Sequence, residues 1–566
     1  MRRLRSTGSG SRIGAAVAAL AAVALIAPAS ASAGSKFLQT VDYPGMTTFN
    51  CRTDAIPISP GQNLNLLMGV NSMCPNATKV AGSGPVDPSV FDTNSETEGY
   101  VTRFKPSMKE IKPSGLVTPS VWDLHLHHVV WLLSNGGRFA SGEEKTIVKF
   151  PPGYGAKLEG GEDMFVNYMI HSLNNRAGRS VYLTWQIDWV PETDPVRTDI
   201  TPTAMRWLDV AGEPQVYPVF DAERGFDTNG DGKFVFPDEA MDPSDPAYEE
   251  ESSKVSDARR WTITNPGGVT LLFGAGHLHP GGLRMMLRVA RDGSDAGTVD
   301  GDDPSEVKNL FRSDARYYEP AGAVSWDVAM EATRRSWRVS LKQGDTVFVS
   351  SVYDVTRASW YESMGILPLS YTTVDDPKGK DPFDDAAAVR EMYEDGGILT
   401  HGRLKENIDA KARKDLGLPD PRDLPSAAPV PPSGIDIDGF AFDLGGYFAL
   451  RDIAKSRMRP PTIDPGDSVL FTNLDAQPGQ PQDAQAWHSI TSCRAPCNKG
   501  SGIGYPLANG PVKFDSGQLG FGTGLSSGVT TGDDEYETPT FTKPGTYTYF
   551  CRIHPYMRGS LRVQDE

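Results

Sequence analysis

The feature that most constrains the fold is a C-x2-H-x2-M motif close to the end of the sequence, at Cys551, His554 and Met557. The residues before Cys551 alternate in the manner of a β-strand, and residues 559–563 have the composition of a second strand. A tight loop between two strands can therefore present a thiolate, an imidazole and a thioether to one point. Blue copper binds such a set, with two histidines and one cysteine in a trigonal plane and a weak axial methionine.

The second histidine for this site is supplied by His488, which follows a strand-like segment at 468–473. The alternative to a metal site is a core cysteine beside a surface histidine. With all four ligand types present in order, the sequence favours a type 1 copper site.

On these four residues, the segment 434–566 resembles a cupredoxin of the plastocyanin or amicyanin type, and its ligand loop has the short, amicyanin-like length. The resemblance implies a Greek-key β-sandwich that binds one type 1 copper ion and carries single electrons. It implies no reaction on a substrate by this domain alone.

Histidine is scarce and unevenly distributed in the rest of the sequence. The chain has nine histidines, and imidazole is a favoured ligand for copper and zinc. Scattered core or surface histidines would not fall into short clusters. Six of them do so, at His125, His127 and His128, at His171, and at His277 and His279.

The first cluster lies in a segment with the composition of a strand. There His125 and His127 share one face, and His128 points to the other. The adjacent pair can converge on one metal only if the backbone twists or bulges. His171 lies in a second strand-like segment.

The pair His277 and His279 lies on one face of a strand, which is a strong geometry for one metal. Met364 is a soft ligand that could complete this set and favour copper(I). A zinc site or a purely structural role is the alternative for all these histidines.

Residues 100–375 resemble, at the level of motifs, the copper type II monooxygenases, the family of peptidylglycine alpha-hydroxylating monooxygenase and dopamine beta-monooxygenase. The resemblance implies two β-sandwich domains with two non-blue copper centres. One centre would use His127, His128 and His171, with His125 as a possible replacement for either of the adjacent pair. The other would use His277, His279 and Met364 and, in an enzyme, would be the catalytic copper.

The sequence from Asp227 to Asp238 has the pattern of a calcium-binding loop. Aspartate in place of glutamate at the last position weakens an EF-hand interpretation, and a solvated turn that binds nothing is the alternative. The predicted ligands are Asp227, Asn229, Asp231, the Lys233 carbonyl and Asp238.

The N-terminus has the features of an export signal over residues 1–33, with a basic start, an apolar run and small residues at 31–33. No later segment has 18 apolar residues in a row, so we expect no stable membrane insertion after signal cleavage. Export favours disulfides. The five cysteines then predict pairs Cys51–Cys74 and Cys493–Cys497, with Cys551 left as a thiolate.

The whole chain is predicted to be mainly β, because its 58 glycines and 44 prolines favour turns and short strands over long helices. We expect two jelly-roll-like sandwiches at 34–195 and 196–376, a linker at 377–433 and the cupredoxin domain at 434–566. The linker contains helical segments at 384–394 and 403–416 and a Pro-rich spacer. His401, in this linker, is expected to be a helix-start or surface residue, with a spare metal ligand as the alternative.

The net charge of −17 excludes nucleic acid as a partner, since phosphates require a cationic surface. The sequence therefore predicts a secreted multi-copper redox protein, in which an electron-transfer domain is fused to a monooxygenase-like module that oxidises an unknown substrate with O2. Its partner would be a redox protein or a small reductant. The alternatives are a non-catalytic electron carrier or copper store, and an extracellular binding protein with zinc or structural histidines.

Overall fold

The fold is described here from a computed structural model that covers a defined part of the chain. The predicted export signal at 1–33 lies outside that part. The described residues are 43, 45–80, 84, 86–133, 138–173, 177–192, 200–211, 218–227, 229–291, 307–319, 322–385, 387, 390, 393–394, 396–411, 419–449, 454–480, 486–497, 512–521 and 533–564.

The first module is a sandwich of a large sheet and a smaller one. The smaller sheet has the order β3-β11-β7-β8, and the first module's part of the larger sheet has the order β10-β5-β12-β1-β4. The strands are β1 (Thr47–Arg52), β2 (Ile56–Ile58), β3 (Asn63–Val70), β4 (Thr78–Lys79), β5 (Glu98–Lys112), β6 (Gly115–Val117), β7 (Leu124–Leu133), β8 (Arg138–Ser141), β9 (Val148–Lys149), β10 (Tyr154–Glu159), β11 (Met164–Ser172) and β12 (Arg179–Pro191).

The second module continues the larger sheet and adds another, in which β23 pairs with β15, β16 and β19. A four-residue helix, α1 (Tyr248–Glu251), lies in the connection after β15. The strands are β13 (Thr201–Arg206), β14 (Phe220–Ala222), β15 (Lys233–Phe236), β16 (Arg260–Thr262), β17 (Val269–Gly274), β18 (His277–Leu278), β19 (Gly282–Ala290), β20 (Val307–Tyr317), β21 (Val328–Ala332), β22 (Val339–Leu341), β23 (Thr346–Asp354), β24 (Trp360–Ser363), β25 (Gly365–Ile366), β26 (Leu369–Thr372) and β27 (Ile398–Leu399).

The C-terminal module is a compact sandwich of two sheets. One has the order β28-β31-β33, and the other has the order β29-β35-β34-β32, with β30 paired to β35. Its strands are β28 (Ile435–Ile437), β29 (Gly446–Phe448), β30 (Thr462–Ile463), β31 (Leu470–Asn473), β32 (Thr491–Cys493), β33 (Glu535–Glu537), β34 (Gly545–Phe550) and β35 (Arg558–Val563).

The prediction of a mainly β chain is confirmed, and alternation along the strands explains why these segments form sheets. In β12, every second side chain from Val181 to Trp189 is buried against the core of the first sandwich. Phe104 on β5 lies 4.9 Å from the ring of Trp131 and 4.3 Å from that of Phe139. Each such ring contributes roughly 1.5–3 kcal/mol on burial.

The two N-terminal modules share a continuous sheet through β13. This strand pairs in parallel with β10 of the first module and antiparallel with β26 of the second. The apolar cores of the two modules are also in contact, because Phe273 and Ala275 of the second module pack into the core of the first sandwich. The predicted domain boundaries stay predictions; β12 ends at Pro191 and β28 begins at Ile435.

The disulfide pairs Cys51–Cys74 and Cys493–Cys497 are confirmed, with Cα atoms 4.8 Å and 5.6 Å apart. Cys551 is free and buried. Helix α2 (Lys405–Lys411) lies within the segment predicted as helical at 403–416. None of the helices in the described part of the chain has the length and apolar composition that a membrane crossing requires.

Candidate metal centres

The C-terminal motif and His488 converge on one buried point. Cys551 follows the end of β34, His554 lies in the loop before β35, and His488 lies just ahead of β32. The Cys551 Sγ atom is 3.7 Å from the Nδ1 atom of each histidine, and the two Nδ1 atoms are 3.2 Å apart. All three side chains are fully buried.

These distances fit a metal at the centre of the three atoms. A trigonal set at about 2.0–2.3 Å from an ion leaves its ligand atoms about 3.5–3.8 Å from one another. Met557 is also fully buried and belongs to the same apolar cluster as Cys551. Its backbone closes the loop, because Cys551 N donates to the Met557 carbonyl at 3.0 Å.

Groups around the three atoms fix their orientation. His488 Nε2 lies 2.9 Å from the Asp475 carboxylate, so Nδ1 is the nitrogen that faces Cys551. Two backbone N–H groups, of Ser489 and His554, donate to the Cys551 sulfur at 3.4 and 3.3 Å. Burial raises the pKa of the Cys551 thiol, but the neighbouring His488 and these donors outweigh it and lower the pKa. The site therefore favours a thiolate, which is the form that binds copper.

In the N-terminal half, a β-bulge lies at the first histidine cluster. His128 pairs with Met169 and Leu126 pairs with Ile170 across β7 and β11, so His127 is the extra residue. The adjacent pair His127 and His128 can converge on one metal only if the backbone twists or bulges, and this bulge is present. His125 lies opposite His171, with ring centroids 4.8 Å apart.

The second pair follows from β18, which pairs with β25. His277 lies opposite Ile366, and Met364 directly precedes β25. His277 Nδ1 is 3.1 Å from the Glu144 carboxylate, and its Nε2 is buried without a hydrogen-bond partner. His279 Nδ1 donates to the carbonyl oxygen of Glu362. In the His277 ring, Nε2 is thus the nitrogen left for a metal.

The two predicted ligand sets interleave. The ring centroid of His127 is 4.2 Å from that of His279 but 5.7 Å from that of His128, a member of its own predicted set. It is 4.5 Å from that of His171. Trp326 lies against this group, with its ring 4.6 Å from His127 and 4.9 Å from His279. The six histidines therefore form one cluster, which we call the histidine cluster.

The chemistry of the histidine cluster suits a metal, because five of its six imidazoles have a pKa that burial lowers. Burial lowers the pKa of His125, His127, His171 and His279 well below the ordinary value. It lowers the pKa of His128 to about 3. Neutral imidazole is the form that binds metals.

The spacing in the histidine cluster differs from that of the C-terminal site. Among the described His, Cys, Asp and Glu side chains, only His488, Cys551 and His554 place three ligand atoms within 4.8 Å of one another. Metal binding by three N-terminal histidines would therefore require side-chain movement.

A cavity of about 660 Å³ adjoins the histidine cluster. His128, His277 and Met364 line it, together with Glu144 and Asn167. His128 Nε2 is 3.1 Å from the Asn167 side-chain oxygen, which fixes this ring at the cavity wall. The cavity thus groups one histidine from each predicted set with the predicted thioether ligand. Apolar side chains, among them Leu66, Leu67, Met205, Trp207, Phe273 and Ile366, form much of the remaining wall.

Sequence reasoning missed Glu144, Asp475 and Trp326. Burial raises the pKa of the Glu144 carboxyl, but His277 and other donors outweigh it and lower the pKa, so the carboxylate is charged. The segment Glu143-Glu144-Lys145 has the composition of an exposed turn, yet all three residues are buried. His401 supports this segment, because its Nε2 donates to the Glu144 carbonyl. The sequence of a short charged segment between two strands does not indicate that Glu144 is buried beside a histidine.

The predicted calcium loop leads into β15, but its last ligand is engaged elsewhere. The Asp238 carboxylate lies 2.8 Å from Arg288 Nη2 and accepts from Ser350 Oγ at 3.1 Å. The next residue, Glu239, has its pKa raised to about 7 by burial and by nearby carboxylates. Calcium binding stays a prediction for the remaining ligands, Asp227, Asn229, Asp231 and Lys233.

Comparisons with known proteins give distant likenesses. No protein-family model and no curated protein matches the chain. Among solved structures, a reduced mutant form of amicyanin is 17% identical and covers 26% of this chain and 90% of its own, with a TM-score of 0.14. A purple cupredoxin from Nitrosopumilus maritimus is 22% identical over 20% of this chain and 88% of its own, with a TM-score of 0.12.

A third structure, the copper-containing nitrite reductase from Thermus scotoductus SA-01, is 17% identical and covers 54% of this chain and 59% of its own, with a TM-score of 0.15. The assignment of a metal to the C-terminal site therefore rests on the ligand geometry and not on these likenesses.

Proposed function

We propose that the chain is a copper redox protein with a type 1 copper site held by His488, Cys551, His554 and Met557. The observation that supports this most directly is the spacing of the two Nδ1 atoms and the thiolate sulfur, at 3.2–3.7 Å. A copper ion with a thiolate ligand in this geometry cycles between Cu(II) and Cu(I) and carries one electron.

The histidine cluster is proposed to hold further, non-blue copper. Buried neutral imidazoles and the thioether of Met364 are ligands that suit copper, and Met364 favours Cu(I). The adjoining cavity gives a small substrate access to His128 and His277. These features support an O2-dependent oxidation of monooxygenase type at this cluster, with electrons supplied by the C-terminal domain.

The electrons would enter from a redox partner protein or a small reductant outside the cell. The two disulfides and the predicted export signal favour an oxidising, extracytoplasmic location.

The decisive experiment is metal analysis of the purified, copper-loaded protein together with optical and electron paramagnetic resonance (EPR) spectra. We expect an intense thiolate-to-copper band, one blue copper per chain, and additional copper with a non-blue signal or an EPR-silent coupled state. A protein that takes up copper but has no such band would contradict the type 1 site. Blue copper alone, with zinc or no metal in the N-terminal half, would contradict the second part of the proposal.

A non-catalytic electron carrier or copper store is the second candidate, and one observation favours it. No three of the described N-terminal histidines bring their ligand atoms as close together as those of the C-terminal site. O2 consumption by the copper-loaded protein with a reductant separates the two functions. The monooxygenase-type function requires O2 consumption that stops when His277 and His279 are replaced together.

A further inference from the structure

The cavity beside the histidine cluster lies between the two N-terminal modules. One wall is the face of the smaller sheet that is turned away from the core of the first sandwich. On this face Leu67, Asn167 and Val130 are neighbours in the register of β3, β11 and β7, and all three line the cavity. The opposite wall belongs to the second module, where Trp207 and Ile366 line it. The cavity is thus formed by the packing of two modules and not by one strand or loop.

The wall that the smaller sheet forms becomes more apolar with distance from the histidine cluster. His128, Val130 and Leu132 share one face of β7, because alternate residues of a strand do, and all three line the cavity. The rise of a strand places Leu132 about 13 Å from His128. Beside Leu132 lies Phe165 of β11, which is 54% exposed, and Leu67 on β3 is 60% exposed. The cavity therefore has an elongated apolar side that reaches the protein surface.

The acidic side chains in the cavity wall already have partners. The Glu144 carboxylate lies 3.1 Å from His277 Nδ1, and that of Asp209 accepts from Trp207 Nε1 at 3.2 Å. Each carboxylate also accepts from a backbone N–H group. Arg206 lines the cavity too, but its side chain is exposed to solvent. A charged ligand would therefore enter without a buried counter-charge of its own, which is costly, and the wall favours a neutral ligand.

We propose that this inter-module cavity binds a neutral, largely apolar small molecule of extended shape, with one oxygen that accepts a hydrogen bond. Asn167 supplies the donor. Its side-chain oxygen lies 3.1 Å from His128 Nε2, so its amide N–H groups are the part that can donate to the ligand oxygen. Binding of this kind needs no metal in the histidine cluster, and the inference therefore goes beyond the proposed function and does not depend on it.

The size and lining of the cavity explain why such a molecule binds. A volume of about 660 Å³ is within the usual range for small-molecule sites. Water that enters lies against Leu67, Val130 and Leu132, whose side chains offer it no hydrogen bonds. An apolar molecule that displaces this water is therefore favoured. A charge on the ligand opposes this gain, because a buried ion without a partner loses its hydration.

The test is a fluorescence titration of the full chain with N-phenyl-1-naphthylamine, a neutral dye whose emission rises in apolar surroundings. Three competitors with the same alkyl chain and different charges then displace the dye: 1-decanol, decanoate and decylammonium. We expect 1-decanol to displace it at a concentration at least tenfold lower than either ion does. The copper-loaded and the metal-free protein should both bind the dye, because no metal is part of the site.

Two substitutions at Val130 locate the binding site. Val130→Trp puts a bulky side chain into the cavity, and we expect the dye to bind at least tenfold more weakly. Val130→Lys adds a cation to the wall, and we expect the preference to shift from 1-decanol to decanoate. Val374→Trp and Val374→Lys are the matched controls, because Val374 is 53% exposed and does not line the cavity. Both controls should behave as the wild type does, and the blue band of each variant reports that the chain is folded.

Absence of dye binding by the wild-type protein, or equal displacement by the three competitors, would overturn the proposal. Unchanged binding in Val130→Trp would show that the dye binds elsewhere on the surface and would overturn it as well. If Val130→Trp does not fold, Val130→Lys decides, and an unchanged preference for 1-decanol is then the contrary result. Dye binding in the cavity together with an N-terminal half that takes up no copper would support this inference and contradict only the proposed function.

Discussion

The C-terminal site and the histidine cluster contain similar side chains but differ in how they are arranged. In the C-terminal site, three of the ligands lie within seven residues on one loop, and their atoms already have the spacing that an ion requires. In the histidine cluster, the rings come from β7, β11 and the β18 segment, and they pack at centroid distances of 4.2–6.1 Å. The first arrangement is specified by one loop, and the second by the packing of two modules.

This difference has a chemical consequence. The C-terminal imidazole of His488 is fixed by Asp475 and lies beside a thiolate, so its proton is stabilised. Five imidazoles of the histidine cluster have a lowered pKa, because they are buried and lie close to one another; they are those of His125, His127, His128, His171 and His279. The C-terminal region is therefore organised around a thiolate, whereas the histidine cluster combines buried imidazoles of lowered pKa with the charged Glu144 carboxylate.

The largest expected effect is on colour. Cys551→Ser should abolish the thiolate-to-copper band while the non-blue copper remains, because oxygen cannot replace the soft sulfur. Optical and EPR spectra of the copper-loaded variant check this. A variant that keeps the band would show that Cys551 is not the thiolate ligand, which would contradict the difference described between the two regions.

The reciprocal change targets the histidine cluster. Replacing His277 and His279 together by asparagine should remove non-blue copper and leave the blue band intact, because no ligand is shared between the two regions. Copper content and EPR intensity measure the loss. Cys551→Ser and the double variant serve as each other's controls. Loss of both signals in the double variant would mean that the two regions do not bind metal independently.

A smaller effect is expected from the group behind His488. Asp475→Asn keeps the shape of the side chain but removes the charge that orients the imidazole, and should weaken copper affinity roughly 10–100-fold. Competition with a copper chelator measures the affinity. The non-blue copper should keep its affinity, and an equal loss in both regions would indicate general unfolding.

The smallest effect concerns pH, and it has opposite signs in the two regions of the metal-free protein. His128 has a folded-state pKa of about 3 against an ordinary value of 6.5, because of burial and the nearby His277. Between pH 6.5 and about 3, His128 therefore binds a proton in the unfolded chain but not in the native state. The stability of this region should fall as the pH drops from 6.5 towards 3.

For His488, burial acts to lower the pKa, but Asp475 and the Cys551 thiolate raise it to about 9. Its contribution to stability is complete below pH 6.5 and is lost as the pH rises through about 9. Hydrogen exchange followed separately in β7 and β34 reports the two regions. His128→Gln should flatten the acid response in β7, and Asp475→Asn the alkaline response in β34. The same pH dependence in both strands would contradict the distinction.

Much of the C-terminal site could be predicted from the sequence, because C-x2-H-x2-M spacing on a loop between strands restricts where three side chains can point. Asp475 could not, since it reaches His488 from a turn after β31 and nothing in its neighbours marks it. In the N-terminal half, the need for a bulge at the adjacent histidines followed from strand geometry. The interleaving of the two predicted sets did not, because it depends on how the modules pack.

The sequence by itself determined the mainly β fold, the two disulfides and the side chains that meet in the C-terminal site. These depend on alternation, composition and spacing over short stretches, where backbone geometry restricts side-chain direction. Only the tertiary structure decided that His127 lies beside His279 and that buried Glu144 holds His277. Such contacts join residues more than a hundred positions apart, and their positions are set by the burial of apolar surface between sheets and domains, which is non-directional and leaves no local pattern.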